Sequence, residues 1–248
     1  MATRARPTAT APPRALLLPG LDGSGRLFGP LLEARPRAFR PEVLSYPPDE
    51  PLGYDDLAAL VRRRLPRGRF VLLAESFSGP AAVRVAAARP PGLEALILAA
   101  TFLHAPLNPL LHPIRGVVGA RFFGVPMPAA VVRWFMAGND APAAIVREVQ
   151  QAVAAVSPEV LAHRSAEALR VDVRGDLVQV DAPLLVLAPT RDRLLRTDVA
   201  DEILALRPDA EVALVDAPHM VLQRCPHASL ARIEEFLARP GARAGSVG

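Results

Sequence analysis

The chain has 248 residues, 51% hydrophobic and 22% charged, which suits one globular domain with room for an inserted subdomain. No apolar run reaches the ~18–20 residues that cross a bilayer, and the opening MATRARPTATAPPR lacks the apolar stretch of a secretory signal, so a cytoplasmic protein is expected. The net charge of +4 comes from arginine alone in an Ala- and Pro-rich chain, and it reads as composition bias rather than the footprint of an anionic partner.

Residues 1–13 read as a disordered lead-in and 239–248 as a disordered tail. ALLLP (15–19) has the continuous apolar character of a strand buried on both faces, and a glycine-rich loop follows it. PEVLSY (41–46) is the next strand, and Leu57, Leu60, Val61 and Leu65 mark the buried stripe of a helix. That stripe runs into VRRRLPRGR (61–69), the densest basic cluster. A solvated helix face explains it, no nucleic-acid motif accompanies it, and no nucleic-acid partner is expected. RFVLLAE (69–75) and LEALILAA (93–100) are strands flanking a helix with Val83, Ala86 and Ala87 on its apolar side.

From about Thr101 to Gln179 the strand pattern stops. Irregular apolar pieces broken by Pro and Gly lead to two helical segments, AIVREVQQAVAAV (144–156) and PEVLAHRSAEALR (158–170). The alternation then resumes. APLLVLAP (182–189) is a strand; Val199, Ile203 and Leu206 mark a helix with Thr197 as N-cap and Asp198 in its first turn; AEVALVDA (210–217) is a strand; Leu230, Ile233 and Leu237 mark a last helix. The expectation is an α/β protein, a three-layer α/β/α sandwich around a mostly parallel sheet of about six strands with right-handed crossovers. Its core would be residues 14–100 and 180–238, with 101–179 inserted as a helical cap. Cys225 can form no internal disulfide and, placed before a proline at a helix start, reads as a packing thiol.

The chemistry centres on Ala74-Glu75-Ser76-Phe77-Ser78, followed by Gly79. A serine between small residues at a strand-to-helix turn can sit on a strained elbow that holds its hydroxyl clear of the sheet edge. Ser76 is the candidate nucleophile, Ser78 its rival two residues on, and a plain helix N-cap the alternative reading. After the first strand, LLLPGLDGSGRLFGPLL (16–32) forms a glycine-rich turn. There the amide of Leu21, with that of Phe77, could supply two oxyanion donors; an Asp22 turn before a helix is the simpler reading. Asp192 falls just past one late strand and His219 just past the next. Parallel strands gather such ends into one crevice, and Ser, Asp, His is the chain order this architecture uses. Asp192 could instead pair with Arg191 or Arg193, Asp216 could be the orienting acid, and His219 could cap a loop.

On these motifs the chain resembles the α/β-hydrolase superfamily over about residues 14–238. LPGLDGSGRLF resembles the LPG-x-DG-[ST]-G loop of some small serine hydrolases, LLAESFSGPAA their GESFGG elbow, LAPTRDRLL the acid turn and DAPHMVLQRCPHA the histidine loop. Pro19 stands where a His is common and Ala74 where Gly is usual; neither change removes a catalytic group. The resemblance implies acyl transfer through an ester on Ser76, with His219 as base and acid, Asp192 orienting it, and the Leu21 and Phe77 amides holding the oxyanion. It implies no cofactor and no metal.

The inserted segment is rich in large apolar side chains (Leu107, Leu110, Leu111, Phe122, Phe123, Met127, Trp134, Phe135, Met136), which suit an acyl or alkyl pocket or simply glue the cap down. Phe102, His104, Trp134, Phe135 and Met220 are the pocket candidates. A small hydrophobic ester is the expected substrate. An acyltransferase or thioesterase meeting a coenzyme A or carrier phosphate through Arg115, Arg121 and Arg133, another hydrolase chemistry such as C–C cleavage, and a non-catalytic binding module are the competing expectations. Oligomeric state is not legible.

Overall fold

In the computed structural model, which describes residues 14–36, 39–106, 120–196 and 198–239, six strands form one sheet in the order β2-β1-β3-β4-β5-β6. They are β1 (Arg14–Leu18), β2 (Arg40–Val43), β3 (Phe70–Glu75), β4 (Leu93–Ala99), β5 (Leu184–Pro189) and β6 (Glu211–Val215). Every pairing is parallel. The expected lead-in, the tail from 240 on, Thr197, Leu107, Leu110, Leu111 and Arg115 lie outside the described residues, as does the side chain of Phe122.

Because successive side chains of a strand point to opposite faces, each apolar run feeds two cores. Leu16, Leu18, Phe70, Leu72, Ala74, Leu96, Leu98, Leu184 and Val186 point one way; Ala15, Leu17, Val71, Leu73, Ala95, Ile97, Leu185 and Leu187 point the other. Helices cover both faces, which is why these strands show no polar alternation. Among them α1 is Gly29–Ala34, α2 is Tyr54–Arg63 and α3 is Gly79–Ala87. On the second face α1 packs through Leu31, while α2 and α3 pack on the first through Leu57, Val61, Val83 and Ala86. Helix α2 is favoured locally. Asp56 accepts from the Gly53 amide at 3.2 Å, and acidic residues open it where basic ones close it, complementing the helix dipole.

Between β4 and β5 run α4 (Ala120–Phe123), α5 (Ala129–Val131) with a π-helical turn over Val132–Ala137, α6 (Ala143–Ala154), α7 (Pro158–Ala168) and α8 (Arg174–Val178). Ser157 caps α7 by accepting from Val160 N at 3.2 Å, with Pro158 at the first position. The excursion closes on itself, for Val173 N donates to Leu103 O at 2.9 Å. Val173, Leu177 and Val180 join the same apolar layer as α3, so the end of the expected cap belongs with the body of the sandwich. After β5 come α9 (Val199–Leu206), α10 (Val221–Arg224) and α11 (Pro226–Ala238). Asp198, expected in the first turn of α9, occupies its N-cap position. Arg239, expected in the tail, caps α11 and pairs with Glu211. No helix among the described residues is long and apolar enough to cross a membrane.

The strand order reverses between β1 and β3, the point at which a doubly wound sheet opens a crevice at its C-terminal rim. The loops leaving β1 and β3 therefore lie side by side there.

Candidate active site

Ser76 directly follows β3 and has a φ of 50°, in the left-handed region that costs a residue with a Cβ roughly 1–2 kcal/mol. The surroundings hold it there. Its carbonyl accepts from Thr101 Oγ1 at 2.6 Å and from the Gly79 amide, so the turn is pinned from β4 and from α3. Thr101 needs a glycine at 79, because a Cβ there would fall deep inside the van der Waals radius of its hydroxyl. Gly79, which follows the small-x-Ser-x-small run of the elbow, thus has a named neighbour that requires its size.

Ser76 Oγ lies 3.0 Å from His219 Nε2, and His219 Nδ1 lies 2.7 Å from Asp192 Oδ2. His219 is 5% exposed. Asp192 Oδ1 accepts from the amides of Leu194 and Leu195 at 2.8 and 3.0 Å, so the carboxylate is aimed by its own loop. Asp216, the other candidate acid, is turned outward and bonds Arg191 Nε at 2.7 Å. Burial pushes the Asp192 carboxyl up, but His219 and the two amides outweigh it and hold the group below the ordinary carboxylate range. Burial likewise disfavours charge on His219, yet Asp192 and then Glu75 leave its pKa above the ordinary imidazole value.

Ser78 is fully buried with its hydroxyl engaged: it lies 2.6 Å from Tyr46 Oη and donates to Pro19 O. The rival nucleophile is therefore a tie between the elbow and the loop after β1. On that loop Gly23 N donates to Gly20 O at 3.0 Å, while Leu21 N has no acceptor among the described residues. Asp22 bonds Ser24 N at 2.9 Å and Ser24 Oγ, the Asx-turn role its position suggested. Phe77 N belongs to the first turn of a helix, where amides have no intrahelical partner. Tyr54 Oη fixes Phe77 O at 3.0 Å.

The pocket candidates are dispersed. Met220, beside His219, is buried with Val132, Ala137 and Val146, and its amide donates to Met136 O at 3.0 Å, joining the histidine loop to the inserted segment. Phe102 is buried in the core layer that holds α2 and α3, and Phe135 is half-buried. Trp134 is 52% exposed with the Arg193 guanidinium 4.1 Å above its ring. His104 Nε2 lies 3.1 Å from Glu202 and 3.2 Å from Arg196, in an ionic cluster that accounts for it without a ligand.

The model of the alpha/beta hydrolase family matches residues 15–233. The chain belongs to that family. Among solved structures it resembles the enol-lactonase from Burkholderia xenovorans LB400 (19% identity, 92% of each chain, TM-score 0.77). It also resembles the carboxylesterase CesB from Bacillus subtilis (17% identity, 92% of this chain and 84% of that one, TM-score 0.69). At such identities the likeness is one of fold. A curated relative, the polyketide synthase ThaQ of Burkholderia thailandensis, is 32% identical over 84% of this chain; the match spans 11% of ThaQ, so the chain covers about a tenth of that protein's length.

Sequence reasoning passed over one acidic group in this α/β-hydrolase site. Glu75 precedes the elbow serine, is 6% exposed, and accepts from Gln223 Nε2 at 2.8 Å. Its signal was visible, for a carboxylate ending an otherwise apolar buried strand is costly unless used. Burial, opposed by Gln223 and His219 and helped by Asp22, lifts it to about 7. Since this lies above the usual 4.5, Glu75 favours folding at low pH and that contribution is lost as pH rises through about 7. The full interval corresponds to about 3 kcal/mol. Glu75→Gln should therefore raise the melting temperature near pH 8 far more than near pH 4.5; an equal shift at both would contradict a buried carboxylate. Removing that charge should also lower the pKa of His219.

Proposed function

We propose that the protein is a serine hydrolase cleaving carboxylic esters of small to medium hydrophobic acyl or alkyl groups. The observation that carries this is the continuous bonded chain from Ser76 Oγ through His219 to Asp192 at the C-terminal rim of the sheet. Ser76 Oγ attacks the ester carbonyl carbon while His219 Nε2 takes its proton, giving a tetrahedral adduct whose oxyanion faces the Leu21 and Phe77 amides. The adduct collapses as His219 protonates the leaving alkoxide, which departs as an alcohol. Water, losing a proton to His219, then attacks the acyl-serine. The second adduct expels Ser76, which recovers the proton, and the acid leaves. Asp192 holds the imidazole with Nδ1–H towards it and supports its transient charge. Phe102, Trp134, Phe135 and Met220 are proposed pocket walls, with Met220 favoured by its place between His219 and the apolar cluster of the insertion.

The likeness to part of a polyketide synthase favours a second reading, in which the acyl group arrives as a thioester. Arg121 and Arg133 on the inserted segment would then meet the phosphate of a carrier arm. Comparing kcat/KM for p-nitrophenyl esters of graded acyl length with that for the matching acyl-coenzyme A and N-acetylcysteamine thioesters decides. The ester reading expects p-nitrophenyl esters of short to medium chain to lead. A thioester preference of 10²-fold or more over an oxoester of equal leaving ability would overturn it (about 3 kcal/mol in transition-state binding).

A further inference from the structure

Arg164, in the middle of α7, is the largest fully buried side chain among the described residues, at 0% exposure. No carboxylate lies within ion-pair distance of it among those residues. Its Nη1 donates to Leu21 O at 2.9 Å, its Nη2 to Pro47 O at 2.9 Å, and its buried Nε has no partner among the described residues. A buried cation whose hydrogen bonds all go to carbonyls, with the buried Asp22 carboxylate acting on it only through space, is costly, and a packing role would be met better by an apolar side chain.

What the guanidinium holds is the loop after β1. That loop has three carbonyls fixed from three directions: Pro19 O by Ser78 Oγ, Leu21 O by Arg164, and Gly23 O by Tyr46 N at 2.7 Å. The Leu21 amide is left without an acceptor among the described residues. The Leu21 side chain packs against Val156, Val160 and Leu161 around the start of α7, so the same helix grips this residue by its carbonyl and its side chain. Gly23 has a φ of 70° and makes room for the guanidinium; a Cβ there would lie 2.6 Å from Nη1. Tyr46, whose ring centroid is 5.7 Å from the guanidinium carbon, carries the link on to Ser78. The Leu21 N–H lies in the Gly20–Leu21 peptide plane, whose carbonyl accepts from Gly23 N at 3.0 Å; with the Leu21 carbonyl and side chain also held, the direction of that N–H is set from both sides of the residue. The guanidinium's positive charge, partly offset by the Asp22 carboxylate, is bound to the carbonyl of the residue whose amide would face the adduct's oxygen, and in a water-poor site such a charge acts strongly.

We propose that Arg164 is a positioning residue of the oxyanion loop, reaching from the inserted helix to orient the Leu21 amide and to place positive charge behind it. This rests on the serine-hydrolase reading. It also makes α7 a fixed wall of the site, since Ser157 N at its start donates to Pro48 O at 2.9 Å on the same stretch of body.

The test is the second-order rate constant for phosphonylation of Ser76 by an alkyl fluorophosphonate, which builds a negative phosphoryl oxygen in the same place and requires no knowledge of the natural substrate. Lysine keeps the charge but cannot reproduce the two-pronged fork, so Arg164→Lys should label about 10-fold more slowly and Arg164→Met about 10²-fold more slowly. KM for a p-nitrophenyl ester should stay within about threefold and the acid limb of the pH profile should not move, readouts that a merely loosened fold would shift. Should Arg164→Met fail to fold, Arg164→Lys decides by the same criterion. Rates within about twofold of wild type, or a slowing matched by an equal rise in KM, overturn the proposal. A wild-type protein that takes no label at Ser76 overturns the hydrolase reading beneath it, and this proposal with it.

Discussion

Ser76→Ala is expected to leave the protein folded and to lower ester turnover by about 10⁵-fold or more, since among the described residues Ser76 is the only hydroxyl bonded to His219 Nε2. The hydroxyl contributes nothing to packing that a methyl group would not. Alanine also keeps the β3-to-α3 turn short, and the Thr101 and Gly79 bonds go to the backbone carbonyl of residue 76, not its side chain. Circular dichroism and melting temperature should match wild type while p-nitrophenyl ester hydrolysis falls to background. Ser78→Ala should behave in the opposite way. It strips a partner from Tyr46 and Pro19 in a fully buried setting, costing about 1–3 kcal/mol of stability, yet leaves the Ser76–His219 bond intact. Background turnover in Ser78→Ala with normal turnover in Ser76→Ala would place the nucleophile two residues on.

Asp192→Asn should cost about 10⁴-fold in kcat with little change in KM. The side chain would still fill its site and accept from Leu194 and Leu195 through its carbonyl oxygen, so the fold should stand. The atom facing His219 Nδ1 then becomes an amide donor, which selects the tautomer with the proton on Nε2. That imidazole cannot take the serine proton. Asp216→Asn is the control: its carboxylate is exposed and committed to Arg191, so turnover should stay within about twofold of wild type. A larger loss in Asp216→Asn than in Asp192→Asn would reassign the acid.

The largest pieces of this architecture were legible because they are written in unbroken apolar runs. FVLLAE and LEALILA are buried along nearly their whole length, and only a sheet covered on both faces gives that pattern. The order of Ser76, Asp192 and His219 after such runs was legible for the same reason, since parallel strands bring their C-terminal ends to one rim. What the sequence hid were residues whose role depends on a partner far along the chain. Arg164 sits in an ordinary amphipathic helix, HRSAEALR, and nothing local marks it as an arginine drawn fully inside; its partners Leu21 and Pro47 are 143 and 117 positions away. His104 looked like a pocket residue from its place behind β4, whereas Arg196 and Glu202 claim its ring. Glu75 lay in plain view, but its worth depends on Gln223, 148 residues on.

The pH dependence follows from the same electrostatics. Under the proposed mechanism the free enzyme needs a neutral His219, so kcat/KM should rise with pH through an apparent value above about 6.5, shared with Glu75, which is lifted to about 7 beside it. In Glu75→Gln the acid limb should become a single step at lower pH. An unmoved limb would remove Glu75 from the electrostatics of the histidine.

The account stands most directly on where a fluorophosphonate attaches. Intact mass followed by peptide mapping should find one adduct, on Ser76, formed quickly in wild type and at background rate in His219→Ala. An adduct on Ser78 or Cys225, no adduct at all, or labelling of Ser76 indifferent to the loss of His219 would contradict it.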